Sequence, residues 1–143
     1  MTNLIVAYKF GSRFDGNLSP KEGINLYALH AESNGGKVLF TVNKVPRPEY
    51  RDRIKKIILM TKDGSFAIQA NVDDLGKYSS PLPIPSGYTV PSIWNNENKE
   101  DLGWFALSDL KRITINSGDF QTVNGKDLLI SMSGNAYMAY IEI

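Results

Sequence analysis

The chain contains no cysteine and a single histidine, His30. The first absence excludes disulfides, thiolate chemistry and cysteine-based zinc sites, and one histidine does not make a multi-histidine metal centre. No apolar run approaches the ~20 residues needed to cross a bilayer. Met1-Thr-Asn ahead of Leu4-Ile-Val-Ala lacks the basic stretch that opens a secretory signal. A cytoplasmic protein with no membrane span is therefore expected. Internal repeats and low-complexity segments are missing as well. What remains is a chain of 143 residues, 42% of them hydrophobic, the size of one domain that buries its own core. A single domain over 1–143 is expected.

Net charge is only +1, but it is unevenly spread. Between Lys44 and Lys62 stand seven basic residues, Lys44, Arg47, Arg51, Arg53, Lys55, Lys56 and Lys62, against Glu49 and Asp52, a local net of +5. The remainder carries nine basic and thirteen acidic residues, a net of −4. Such polarity along a sequence marks the basic stretch as a candidate contact for an anionic partner.

The same region holds the densest strand pattern. Lys37–Val45 reads as one strand and Ile54–Thr61 as a second, and a type I′ turn at Lys62-Asp-Gly64 leads to a third at Ser65–Val72. Before it, Leu4–Phe10 barely alternates and reads as a first, interior strand. Ser19-Pro-Lys-Glu22 has the form of a capping box, with proline at the first helical position. Ile24, Tyr27, Ala28 and Ala31 then fall on one helical face, and Asn34-Gly-Gly36 ends the helix. The alternative for Ile24–Ala31 is a hairpin strand closed by Asn34-Gly35.

Pro46-Arg-Pro48 cannot continue a ladder, because proline has no N–H to donate. Arg47, Arg51 and Arg53 are therefore expected on or beside a loop between strands. Asp73–Gly103 is the least regular stretch, with four prolines and the polar run Asn95–Asp101, yet Tyr78, Tyr88, Ile93 and Trp94 argue against full disorder. Two short strands follow at Gly103–Leu107 and Leu110–Ile115. Asn124-Gly125 is either a hairpin turn or the start of a short helix over Lys126–Met132. Ala136–Ile143 closes the chain as a strand, with Tyr137, Ala139, Ile141 and Ile143 on one face.

Catalytic patterns are scarce. His30 sits among apolar residues with no serine and acid at a recognisable spacing, and reads as structural. Glu97-Asn-Lys99 has the E-x-K form that some metal-dependent nucleases place on a strand beside an upstream acid such as Asp73 or Asp74, but here it lies in a polar loop. Asp15-Gly-Asn17 and Asn34-Gly-Gly36 are turns without the strand–loop–helix unit of a phosphate cradle. No metal and no cofactor are expected, and the chain does not read as an enzyme. Two features are left. The basic loop suits phosphate contacts, since lysine and arginine neutralise phosphates and release counterions; the alternative is a solvated edge that discourages strand pairing. Trp94 and Trp104, with Tyr78 and Tyr88 near them in sequence, suit base stacking at about 1–3 kcal/mol per base; the alternative is that each ring packs in the core.

Val38-Leu-Phe-Thr-Val-Asn43, in the order strand, helix, strand of this type, basic turn and later hairpin, resembles the PUA-like superfamily. Within it the YTH and EVE domains, and the recognition domains of modification-dependent restriction enzymes, are the branches this order is most similar to. The resemblance implies an α+β fold: a small twisted mixed β-sheet or barrel with one or two flanking helices. It also implies a flipped or single-stranded modified base held in an aromatic cage, with Tyr8 or Phe10 and Trp94 or Trp104 as its walls. The expectation is then a non-enzymatic nucleic-acid-binding domain. Lys44, Arg47, Arg51 and Arg53 would contact phosphate, and Tyr8, Phe10, Trp94 and Trp104 would form the base pocket. The alternative is a small interaction protein, for instance a phage or mobile-element factor that binds and blocks a bacterial protein through Tyr88–Asp101. A third reading, a nuclease using Asp74 and Glu97, predicts cleavage that depends on Mg²⁺.

Overall fold

The computed structural model describes residues 3–11, 18–42, 46–77, 87–91, 103–134 and 136–142. The capping box at Ser19 fixes where the first helix begins. The Ser19 hydroxyl accepts from the Glu22 N–H at 3.2 Å, and the Glu22 carboxylate accepts from the Ser19 N–H at 3.3 Å. Two of the donors that a helix start leaves open are thereby satisfied. From there α1 runs Pro20–Ser33 and buries Ile24, Tyr27, Ala28 and Ala31, with Gly23 beside them. The helical reading of this stretch holds over the hairpin alternative.

The strands are β1 Leu4–Lys9, β2 Lys37–Val42, β3 Ile54–Met60, β4 Ala67–Lys77, β5 Gly103–Ile113 and β6 Met138–Glu142, with two short helices, α2 Pro48–Arg51 and α3 Leu128–Ser133. All six strands form one mixed sheet in the order β2-β5-β4-β3-β1-β6. β1 and β3 run parallel and every other neighbouring pair is antiparallel. The class is thus α+β, as expected. The sheet is open, with β2 and β6 as its edges.

Both faces of the central strands are covered, which is why β1 and β3 read as nearly continuous apolar runs. On one face Val6, Tyr8, Ile57, Leu59, Ile68, Phe105 and Leu107 pack with α1. On the other, Ile5, Ala7, Ile58, Met60 and Ala67 pack with Leu128 and Met132 of α3. Each large aliphatic side chain so enclosed contributes about 1.5–3 kcal/mol. A third, smaller cluster joins Leu39, Trp104 and Ala106 to Val90. There the Leu39 N–H donates to the Thr89 carbonyl at 2.8 Å, so residues 87–91 shield part of the β2 edge.

The structure departs from the sequence reading in four places. The turn after β3 is not type I′: Gly64 has φ +73° but Asp63 does not share a positive value, and the loop closes instead by Thr61 N–H donating to the Phe66 carbonyl. Asp63 sets this loop by accepting from the Ser65 N–H at 3.0 Å and from the hydroxyls of Ser65 and Thr61. The following strand begins at Ala67, not Ser65, and continues to Lys77, into the stretch expected to be irregular. The two strands expected at Gly103–Leu107 and Leu110–Ile115 are one, β5, which absorbs a bulge opposite Ala70 with Asp109 at φ +54°. Finally, the connection expected as a loop holds one helical turn, with Arg51 at its end and Arg47 and Arg53 flanking it, because Pro48 occupies its first position, where a missing N–H costs nothing.

Candidate nucleic-acid interface

α2 carries the basic segment to the edge strand β6. Arg47 precedes the helix, and its backbone N–H donates to the Tyr140 hydroxyl at 3.0 Å. Tyr140 also meets Tyr50 edge-on, with ring centroids 4.6 Å apart. The Arg53 guanidinium lies 5.8 Å from the Tyr50 ring centre and 4.0 Å from the Glu142 carboxylate. Arg51 turns back, its Nε donating to the Pro46 carbonyl at 3.2 Å. Two tyrosines and three arginines from segments far apart in sequence thus form one edge of the molecule.

Between α2, β6 and the turn Thr122–Lys126 lies a cleft of about 430 Å³. Among the described residues, Arg47 and Lys126 are the only charged ones that line it, and no carboxylate does. Neither side chain has an ion-pair or hydrogen-bond partner among the described residues. Tyr50 and Tyr140 supply its aromatic wall, Met138 and Val123 apolar surface, and Thr122, Asn124 and Ser131 polar groups. Lys126 is positioned by its turn: the Thr122 N–H donates to the Lys126 carbonyl at 2.7 Å and the Lys126 N–H to the Thr122 hydroxyl at 3.3 Å. Burial pushes the pKa of the Tyr140 hydroxyl above its ordinary value, which keeps it protonated at neutral pH. Its oxygen accepts from Arg47, and its proton has no acceptor among the described residues. The cleft therefore offers two cations, one phenolic donor and two rings, with no carboxylate among its described lining residues; the nearest acids, Glu142 and Glu49, stand outside it. That is a setting for an anion joined to a planar group.

Of the expected phosphate contacts, Arg47 faces this cleft, Arg53 is tied to Glu142, Arg51 to Pro46, and Lys44 lies outside the described residues. The basic stretch does not form one patch. Arg53 stands before β3 and Lys62 beyond its far end, so the 7 residues of the strand, about 23 Å at the rise of an extended chain, lie between them.

The three described rings of the expected base pocket, Tyr8, Phe10 and Trp104, do not come together in one pocket. Tyr8 is 3% exposed and packs against Phe40 and Phe105 at 5.5 and 5.8 Å. Phe10 stacks on Phe40 at 5.8 Å, half-buried in the same cluster. Trp104 is 2% exposed and belongs to the opposite face of the sheet, since it neighbours Phe105 along β5 and strand side chains alternate. Trp94 lies outside the described residues. The Trp104 ring rests on Gly76 of β4: a Cβ there would come within 2.7 Å of its Cζ2. Its indole N–H has no partner among the described residues. Tyr8 and Trp104 are core, the alternative weighed for Trp104, and Phe10 packs half-buried against the Tyr8 cluster.

His30, read as structural from sequence, has its Nε2 2.7 Å from the Thr89 hydroxyl oxygen, a contact that ties α1 to residues 87–91. Asp73, one of the acids weighed for a nuclease, accepts from Tyr88 at 2.5 Å and from Ser108 at 3.0 Å. That bond to Asp73 pushes the Tyr88 hydroxyl up to about 12. Glu97 lies outside the described residues, and no group of three potential metal ligands occurs among those described. Of the surface Tyr88–Asp101, only Tyr88–Pro91 is described. No helix among the described residues is long and apolar enough to cross a membrane.

Sequence reasoning missed Tyr50, Tyr140, Asn124 and Lys126. Tyr50 stood inside the basic segment and was the available signal; the other three come from the last quarter of the chain, which only the pairing of β6 with β1 brings alongside. Comparison of the chain with protein-family models, with curated proteins and with solved structures finds no match.

Proposed function

We propose that this protein binds nucleic acid without acting on it chemically, holding the phosphate chain at the edge formed by α2 and β6. The observation that carries the reading is the pair Arg47 and Lys126 on the rim of a cleft: among the described residues, neither cation has an acid partner and no carboxylate lines the cleft. Phosphate contacts by such residues supply most sequence-independent affinity. The tyrosine wall favours a strand whose bases are accessible. The finer reading, a PUA-like reader of a modified base, rests on Val38–Asn43. With Tyr8 and Trp104 on opposite faces of the sheet, its aromatic contact would pass to Tyr50 and Tyr140.

Fluorescence anisotropy of a labelled single-stranded oligonucleotide at several salt concentrations tests this. Binding should weaken with salt, and the double substitution Arg47→Gln, Lys126→Gln should flatten the slope by about 0.7 for each phosphate that is no longer neutralised. These two are cleaner choices than Arg51 or Arg53, whose side chains also serve the fold. Absence of salt-sensitive binding at low ionic strength would overturn the proposal. The interaction-protein reading has its own observation: Ile130 and Tyr137 are 65% and 63% exposed. A stoichiometric protein partner that no longer binds once these two are substituted would favour it instead.

A further inference from the structure

We infer that the cleft between α2, β6 and the Thr122–Lys126 turn seats one unpaired nucleotide, its phosphate between Arg47 and Lys126 and its base along Tyr50 and Tyr140. This rests on the nucleic-acid reading above and narrows it to a single unit of the polymer.

Size is the first reason. At about 430 Å³ the cleft falls in the lower part of the range of small-molecule sites, about 300–1,000 Å³. A single nucleotide matches that scale, whereas a duplex presents its bases stacked inside and offers only edges and backbone. The second reason is the distribution of chemistry. Both cations lie on the lining without an ion-pair partner among the described residues, so phosphate displaces no carboxylate to reach them. The Tyr140 hydroxyl accepts from the Arg47 N–H, which leaves its own proton for a phosphate or sugar oxygen. Tyr50 and Tyr140 brace each other at 4.6 Å, so the wall a base would meet is already ordered. The third reason is Asn124. Its amide lines the cleft from the tip of the turn and carries both a donor pair and an acceptor, the combination that reads one edge of a base.

Rings and phosphate should thus give an affinity that tolerates any base, Asn124 should give the preference among bases, and free mononucleotides should suffice as ligands.

The test is displacement of a labelled ten-nucleotide single strand from the whole chain. The competitors are the four 5′-mononucleotides, the four nucleosides, a duplex of the same sequence and polyglutamate. The mononucleotides are expected to displace the strand, and the nucleosides at least about tenfold less well for want of phosphate. Tyr50→Leu should weaken both strand and mononucleotides by roughly 5- to 150-fold, Tyr50→Phe should leave them unchanged, and Asn124→Ala should change the ranking of the four. Melting curves confirm that each variant is folded. If the strand binds but mononucleotides fail to displace it at millimolar concentration, or if the duplex competes equally well, the single-nucleotide inference falls while the nucleic-acid reading stands. If the strand does not bind at all, or polyglutamate displaces it as efficiently as the mononucleotides, both fall.

Discussion

The Arg47 N–H donates to the hydroxyl of Tyr140 across 93 residues of sequence, at 3.0 Å. This bond fastens the start of the basic segment to the edge strand, and with it one cation of the cleft to the ring beside it. Tyr140→Phe keeps the ring and removes the acceptor. The expected loss is about 0.5–1.5 kcal/mol, read as a fall in melting temperature of about 2–4 °C per kcal/mol for a chain of this size. An unchanged melting temperature would show that water replaces the hydroxyl without penalty.

Gly76 and Trp104 form a lock between neighbouring strands. Gly76→Ala would place a methyl group 2.7 Å from the indole and should destabilise the protein by about 1–3 kcal/mol through overpacking. Trp104→Phe removes both the atoms in conflict and the orphaned N–H, so the two substitutions together should cost less than their sum. Denaturant unfolding of the two single variants and the double variant measures that coupling. Additive effects would mean that the sheet yields elsewhere.

The hairpin loop between β3 and β4 carries a pH dependence of definite sign. The Ser65 N–H, then the Ser65 and Thr61 hydroxyls, hold the Asp63 carboxyl below its ordinary 3.8. A depressed value means stability that is present above 3.8 and is lost as pH falls through the lowered value. Asp63→Ala should therefore be less stable than the native chain at pH 6, with the gap closing below about pH 4. Urea midpoints of both proteins between about pH 2.5 and about pH 6 give the answer, and a gap independent of pH would contradict the assignment.

Lys9 caps the end of α3, its ammonium donating to the carbonyls of Met132 and Gly134 at 2.9 and 2.8 Å. Lys9→Met keeps the stem and removes the donors. It should cost about 0.5–2 kcal/mol and accelerate amide exchange in Leu128–Ser133 ahead of the sheet. Uniform acceleration across the protein would point to a global effect instead.

The sequence is most informative where local rules act alone. Ser19 and Glu22 announce α1, and the spacing of Ile24, Tyr27, Ala28 and Ala31 announces its buried face, because a capping box and a 3.6-residue period need no distant partner. β5 reads as two strands because Ser108-Asp109 looks like a break. The strand continues through it only because β4 supplies a ladder on the other side of the bulge. Position in the chain says little about which way a ring faces: Trp104 turns inward because Gly76 leaves it room, a fact of strand register that composition does not carry. Arg47 is visible as a candidate and Tyr50 stands beside it in the same segment, but Tyr140 and Lys126, which complete the setting, arrive with β6 and the chain before it.

That strand order also governs how the chain must be made. β6 pairs with β1, and the segment between Lys9 and Met138 has to leave the ribosome before the two can meet. At about 5–20 residues per second this takes roughly 6–26 s. During that time one side of β1 has no ladder and the cleft has no far wall. A nascent or truncated chain ending before Met138 would carry the basic segment without the edge that β6 completes, and the binding proposed for that cleft would begin only once β6 is in place.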